Sequence, residues 1–245
     1  LARSASILVG CSSGTASSVP VAASSAAEST VSSVEETASS AVDENEAAAA
    51  QLLNDLTGSY QELWPVILAD EYKQTWLDDC TALVGEENAE AAFEKLSSMV
   101  TSDVYGEDAV EAYANGGGAY FCGFTNSLAT LTFDGETSTI SGTDKDGNVL
   151  FSHTYHYIGM EPVRGLYEFE SDDADSGEFT YFFLAPDTSA ETYHIEFRYG
   201  SDAEALSQYD TGEYAYWLAS GISTDCDQTM IDNCIELFCT ENLAG

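Results

Sequence analysis

Three histidines, His153, His156 and His194, are the only imidazoles in the chain, and each falls where polar and aromatic residues alternate. A neutral imidazole is a strong ligand for zinc and related divalent ions, and residues i and i+2 of a strand project from one face. His194 and Glu196 therefore form a pair offering one nitrogen and one carboxylate to a single ion. Over residues 149 to 157, His156 shares a polar face with Ser152 and Thr154, whereas His153 sides with Phe151, Tyr155 and Tyr157. In a regular strand these two histidines cannot join one site, and His156 is the better metal candidate. A bulge would overturn that parity. The candidate metal ligands are thus His194, Glu196 and His156.

Oxygen ligands are abundant, with 43 Asp and Glu against 6 Lys and Arg and a formal charge of −37. Such a field attracts cations and repels nucleic acid and anionic membrane surfaces, so a nucleic-acid partner is excluded. Carboxylates are too common for any pair to be singled out for glycosidase chemistry. Asp173, Asp175 and Glu178 surround Gly177 but lack the ligand spacing of an EF-hand, and read as a solvated loop. A serine hydrolase needs an activated serine with its base, and the chain has only three histidines to offer. No enzyme is expected.

The elements that position these residues change character along the chain. Residues 43 to 115 read as helical: Asp43 to Glu46 place acids at the positive end of a helix dipole, and Leu52, Leu53 and Leu56 recur at helical spacing. Gly58 and Pro65 break the pattern, so several short helices are expected. From Ala119 the period becomes two. Strands are expected at 128–133, 137–141, 149–157, 165–170, 179–184 and 193–199, with Asp134-Gly135 and Asp146-Gly147 supplying turns. Consecutive short strands of this kind make an antiparallel barrel or a sandwich. A helix from about Asp227 closes the chain, with Met230, Ile231, Cys234, Ile235 and Phe238 on its apolar face.

Leu8-Val9-Gly10-Cys11 ends a short apolar run and resembles a bacterial lipobox, in which Cys11 is lipidated and becomes the first mature residue. Residues 12 to 42 are almost entirely Ser, Ala, Val, Thr and Glu, a composition unable to bury enough apolar surface to fold, and read as a disordered tether. The expected organisation is a signal remnant over 1–11, the tether over 12–42 and one folded domain over 43–245. Localisation is expected outside a bacterial cell, lipid-anchored to the outer face of its membrane. Cys80, Cys122, Cys226, Cys234 and Cys239 should form one or two disulfides there, with pairing left open, except that Cys234 and Cys239 point apart if their segment is helical.

Leu56-Thr-Gly-Ser-Tyr-Gln61 with Trp64-Pro65, Tyr120-Phe-Cys-Gly-Phe124, Tyr155-His-Tyr-Ile-Gly159, Val163-Arg-Gly-Leu-Tyr-Glu168, Ala185-Pro186 and Tyr193-His-Ile195 follow one another in an order that resembles the ZinT family. The resemblance spans roughly residues 52 to 243. It implies an α+β, mainly β fold, a calycin or lipocalin-like antiparallel barrel with flanking helices at both ends. It implies binding or delivery of a divalent metal, with zinc as the cofactor, as an accessory to a metal-uptake ABC transporter. The family's ligands are a histidine before an Ala-Pro turn and a His-x-His pair on the next strand. Here those positions fall on Phe182, Thr192 and His194, so one of three nitrogen ligands survives. Phe182 points to an apolar, sealed cavity, and the competing reading is a metal-free binding module on the same barrel. Arg164, within the matched motif, is expected to make a structural ion pair in the sheet, with Glu168 on the same strand face.

Overall fold

The computed structural model describes residues 44–186 and 194–244. The signal remnant with Cys11, the tether and Thr192 lie outside the described residues.

Alternation of buried and less buried residues builds the strands as the sequence requires. In β2 (Thr130–Asp134) Leu131 and Phe133 turn inward, in β3 (Thr139–Thr143) Ile140 does, and in β4 (Val149–Met160) Phe151 and Tyr155 do. β5 (Tyr167–Ser171) buries Phe169 in the same way. β6 (Tyr181–Leu184) and β7 (His194–Gly200) are buried on both faces, because helices and loops cover them from outside. Two strands were not read from the sequence: β1 (Gly58–Glu62), inside the stretch expected to be helical, and β8 (Ala219–Ser223). β1 pairs with β2 on one side and β8 on the other, and this closes an eight-stranded antiparallel barrel in sequence order. Of the barrel and the sandwich, the barrel is the fold.

Helices flank the barrel at both ends of the chain. The first, α1, covers residues 44 to 55. It is followed by α2 (Leu63–Ile67), α3 (Lys73–Val84), α4 (Glu86–Ser98) and α5 (Glu107–Ala114). A short α6 (Ala203–Leu206) follows β7, and α7 (Gln228–Leu243) starts where Asp227 caps it by accepting from the Met230 amide at 2.9 Å.

Two apolar cores result. Inside the barrel, Phe151, Phe182, Phe197 and Tyr199 stack on one another, and Ala49, Leu52, Leu53 and Leu56 join that same core from α1 and its end. Outside the wall, Trp64, Trp76 and Phe238 knit α2, α3 and α7 over Leu218 and Ile222. The β2–β3 turn presses directly on α1: a Cβ at Gly135 would stand 2.4 Å from the Asn54 Cα and 2.6 Å from its amide nitrogen. Backbone cannot yield as a side chain can. Gly135→Ala is therefore expected to cost about 1–3 kcal/mol in urea unfolding, whereas alanine at the open Gly147 turn meets no neighbour and is opposed only by its positive φ.

Candidate functional site

β7 carries the richest run of polar groups. His194, Glu196 and Arg198 lie on its outer face, while Ile195, Phe197 and Tyr199 join the barrel core. Glu196 and Arg198 are buried, and His194, at the start of the strand, is partly buried. His194 and Glu196 border a cavity of about 20 Å³ shared with Trp64 and Ile67 of α2 and Cys234 and Phe238 of α7. That volume holds one water molecule or one bare ion. Desolvation among these apolar groups pulls the His194 imidazole down to about 4, so it is neutral at physiological pH. Burial pushes the Cys234 thiol up to about 12. Cys122 stands nearby, its thiol also pushed up to about 12 by burial and then by the Glu196 charge.

Arg198 continues the same face and is wholly buried. It donates to the carbonyls of Leu206, Gln208 (3.0 Å) and Tyr214, and its guanidinium stacks on Tyr209 at 4.3 Å. Burial pushes it down to about 10, which leaves it cationic. Its position is that of a clasp holding the segment after α6 against the barrel.

His156 lies elsewhere. It is exposed on β4, with Nδ1 2.7 Å from Asp172 and Nε2 3.9 Å from Glu170. His153, across the strand, takes Asp173 at 2.7 Å, so the two histidines do occupy opposite faces and bind separate carboxylates. β5 and β6 lie between β4 and β7, a span of about 14 Å at ordinary strand spacing. No single ion bridges that distance. The structure brings His194 and Glu196 together and leaves His156 outside their site. Among the described residues no group of three or more His, Cys, Asp or Glu side chains is arranged to hold a metal ion.

The register also separates two positions that the resemblance placed in one ligand set. Phe182 pairs with Tyr199 and Phe183 with Arg198. Phe182 therefore shares the inward face, stacked against Phe151 and Tyr199, while His194 faces the helices. A histidine at 182 and one at 194 would stand on opposite sides of the wall.

Arg164 departs from expectation in a different way. It occupies the turn before β5, donates to the Tyr120 hydroxyl at 2.9 Å and stacks on Tyr209 at 4.4 Å, where an ion pair within the sheet was expected. The carboxyl beside it belongs to buried Glu161, which accepts from the Arg164 amide at 2.8 Å and the Tyr209 hydroxyl at 3.2 Å. Of the loop acids, Asp173 is taken by His153, and Glu178 accepts from Ser201 at 3.1 Å and Tyr214 at 3.2 Å. Trp64 and Cys234 were not singled out as site residues. Both read as apolar helix positions, and only the docking of α2 and α7 on β7 brings them beside His194.

Comparison with known proteins matches no family model and no curated protein. Among solved structures the chain is similar to the Zn(II)-bound ZinT-like domain of Streptococcus pneumoniae AdcA, with TM-score 0.46 and 15% identity, over 74% of this chain and 87% of that one. It is also similar to Zn(II)-bound AdcA from the same organism, with TM-score 0.44 and 13% identity. That second match covers 75% of this chain and 34% of the other, so the chain spans about a third of that protein.

Proposed function

We propose that this chain binds a divalent metal ion, zinc by preference, at His194 and Glu196, and works as a binding protein in metal uptake outside the bacterial cell. The observation that carries the reading is the pairing of a neutral, desolvated imidazole with a carboxyl group on one face of β7, at a cavity the size of one ion. A histidine held near 4 needs no deprotonation before it ligates, so proton competition above about pH 5 falls on the other ligands. Cys234 borders the same cavity from α7, but its thiol, pushed up to about 12 by burial, remains protonated, and water would complete the coordination of an ion held by His194 and Glu196. The net acidic field concentrates cations around the domain.

The remainder of the reading rests on sequence. The lipobox-like Leu8 to Cys11 supports a lipid on Cys11, and the composition of residues 12 to 42 supports a tether. Among the described residues no helix is long and apolar enough to cross a membrane. Delivery to a metal-uptake ABC transporter follows from the ZinT resemblance.

The test is a calorimetric zinc titration of the chain beside His194→Ala and Glu196→Gln. One saturable site is expected, weakened at least tenfold by either substitution, which corresponds to about 1.4 kcal/mol. Non-saturable uptake indifferent to both variants would sink the proposal. It would favour the second reading, a metal-free binding module, for which the specific observation is a cavity of about 310 Å³ between Pro65 of α2, Leu68 just beyond it, and Val100, Phe121 and Gly123.

A further inference from the structure

We infer that Cys80 and Cys239 become joined by a disulfide, a covalent staple between α3 and α7. Their sulfurs stand 3.9 Å apart and both residues are wholly buried. Both are free thiols in this structure, and since a disulfide bond is about 2 Å long the sulfurs must approach further as it forms. The register is set by aromatic packing one turn away. Trp76, four residues before Cys80, meets Phe238 edge-on at 5.9 Å, and Phe238 immediately precedes Cys239. The other cysteines are placed differently: Cys234 and Cys122 lie towards Glu196 and the β7 cavity, and Cys226 sits in the turn before α7. Cys234 and Cys239 point to different sides of α7, as their five-residue spacing requires.

The seam between these helices has a reason to be stapled. Asp79 on α3 is pushed above the ordinary carboxyl range by burial, and then by the charges of Glu236 and Asp232 on α7. Like charges thus face one another across the contact. A covalent bond closing a separation of 159 residues opposes that repulsion and restricts the unfolded chain.

The chemistry is thiol–disulfide exchange with an external disulfide, either glutathione disulfide or the oxidised, disulfide form of a dithiol oxidoreductase. One cysteine thiolate attacks that disulfide and releases its first sulfur as a thiol. The second cysteine thiolate then displaces the remaining external sulfur, and the two cysteine protons pass to the leaving sulfurs. Two thiols are oxidised by two electrons and one external disulfide is reduced to two thiols. Burial pushes both thiols up in the folded protein, Cys239 further through its neighbour Cys80. Exchange is therefore a step of folding, taking place as α7 settles on α3 and before the contact seals both thiols from solvent.

The full chain, refolded in a glutathione redox buffer, alkylated and digested without reductant, is the material for the test. Peptides containing Cys80 and Cys239 should be recovered cross-linked, and reduction should lower the thermal midpoint by about 10 °C. A Cys80→Ala, Cys239→Ala double variant should have a midpoint indifferent to reductant. Recovery of both cysteines as alkylated thiols, or of Cys239 linked to another cysteine, would overturn the assignment. If the double variant does not fold, the peptide map of the parent chain still decides the matter.

Discussion

Arg198→Ala is expected to lower the free energy of unfolding by about 3–5 kcal/mol. The guanidinium supplies donors to three backbone carbonyls, those of Leu206, Gln208 and Tyr214, none of which lies in a strand. Removing it leaves the Leu206 and Tyr214 acceptors buried beside a void and strips Tyr209 of one of the two cations stacked on its ring. Lysine does not repair the loss, since a single ammonium on a flexible stem cannot reproduce a planar fork reaching three acceptors. Arg198→Lys should therefore stay within about 1–2 kcal/mol of the alanine variant. Against a total stability of roughly 5–15 kcal/mol for a domain, either change is severe. Urea unfolding followed by tryptophan fluorescence reads it directly, because Trp217 lies 6.0 Å from the same guanidinium. A loss below about 1 kcal/mol would show that the segment after α6 is held by something else.

The second large effect concerns acid. His194 has its folded value near 4, below the ordinary 6.5, because its partly buried, apolar surroundings disfavour the charged ring. Above pH 6.5 neither the folded nor the unfolded chain protonates this ring, and its contribution is fully present. As the pH falls from 6.5 to 4 the unfolded state takes up a proton that the folded state refuses, so stability is lost across that window. The loss amounts to as much as about 3 kcal/mol, and it stops growing below pH 4. Other groups push the opposite way. Asp79, held above the ordinary carboxyl range, is relieved of repulsion as it protonates. The comparison must therefore be made against His194→Gln, which keeps a polar side chain but does not titrate. With metal removed by chelator, urea midpoints of the two proteins should converge as the pH drops from 7 to 4.5. Parallel curves would mean that the imidazole is hydrated in solution, and the case for a desolvated ligand at this position would fail with it.

Period-two alternation made six of the eight strands legible, and inward Phe151 and Tyr155 keep the parity read from their spacing. β1 and β8 were missed for a shared reason. Gly-Ser-Tyr-Gln-Glu and Ala-Ser-Gly-Ile-Ser are short and rich in small and polar residues, so neither carries the apolar alternation that marks a strand, and in β8 close-packed neighbours leave no room for larger side chains. At Gly221 a Cβ would already stand 3.1 Å from Ile195. The His194 and Glu196 pair was legible because i, i+2 geometry is local. The distance of His156 from it was not, since nothing in the spacing of two strands says how many others come between them. Burial of Arg198 was equally hidden. Polar residues on one strand face look the same in sequence whether water, a helix or a returning loop lies above them.

The pairing of β1 with β8 also has a kinetic side. Strands β2 to β7 can form in order as the chain emerges, each beside its predecessor, but the last ladder joins Tyr60 to Ser223 and Glu62 to Gly221. Until that long loop closes, the sheet has two unpaired edges, and an open edge is a template for another chain. Any truncation before residue 219 leaves β7 without its β8 partner and β1 without half of its hydrogen bonds. Such fragments should self-associate through their edges. In the uncut chain, a slow folding phase and concentration-dependent losses are both expected from this one closing event.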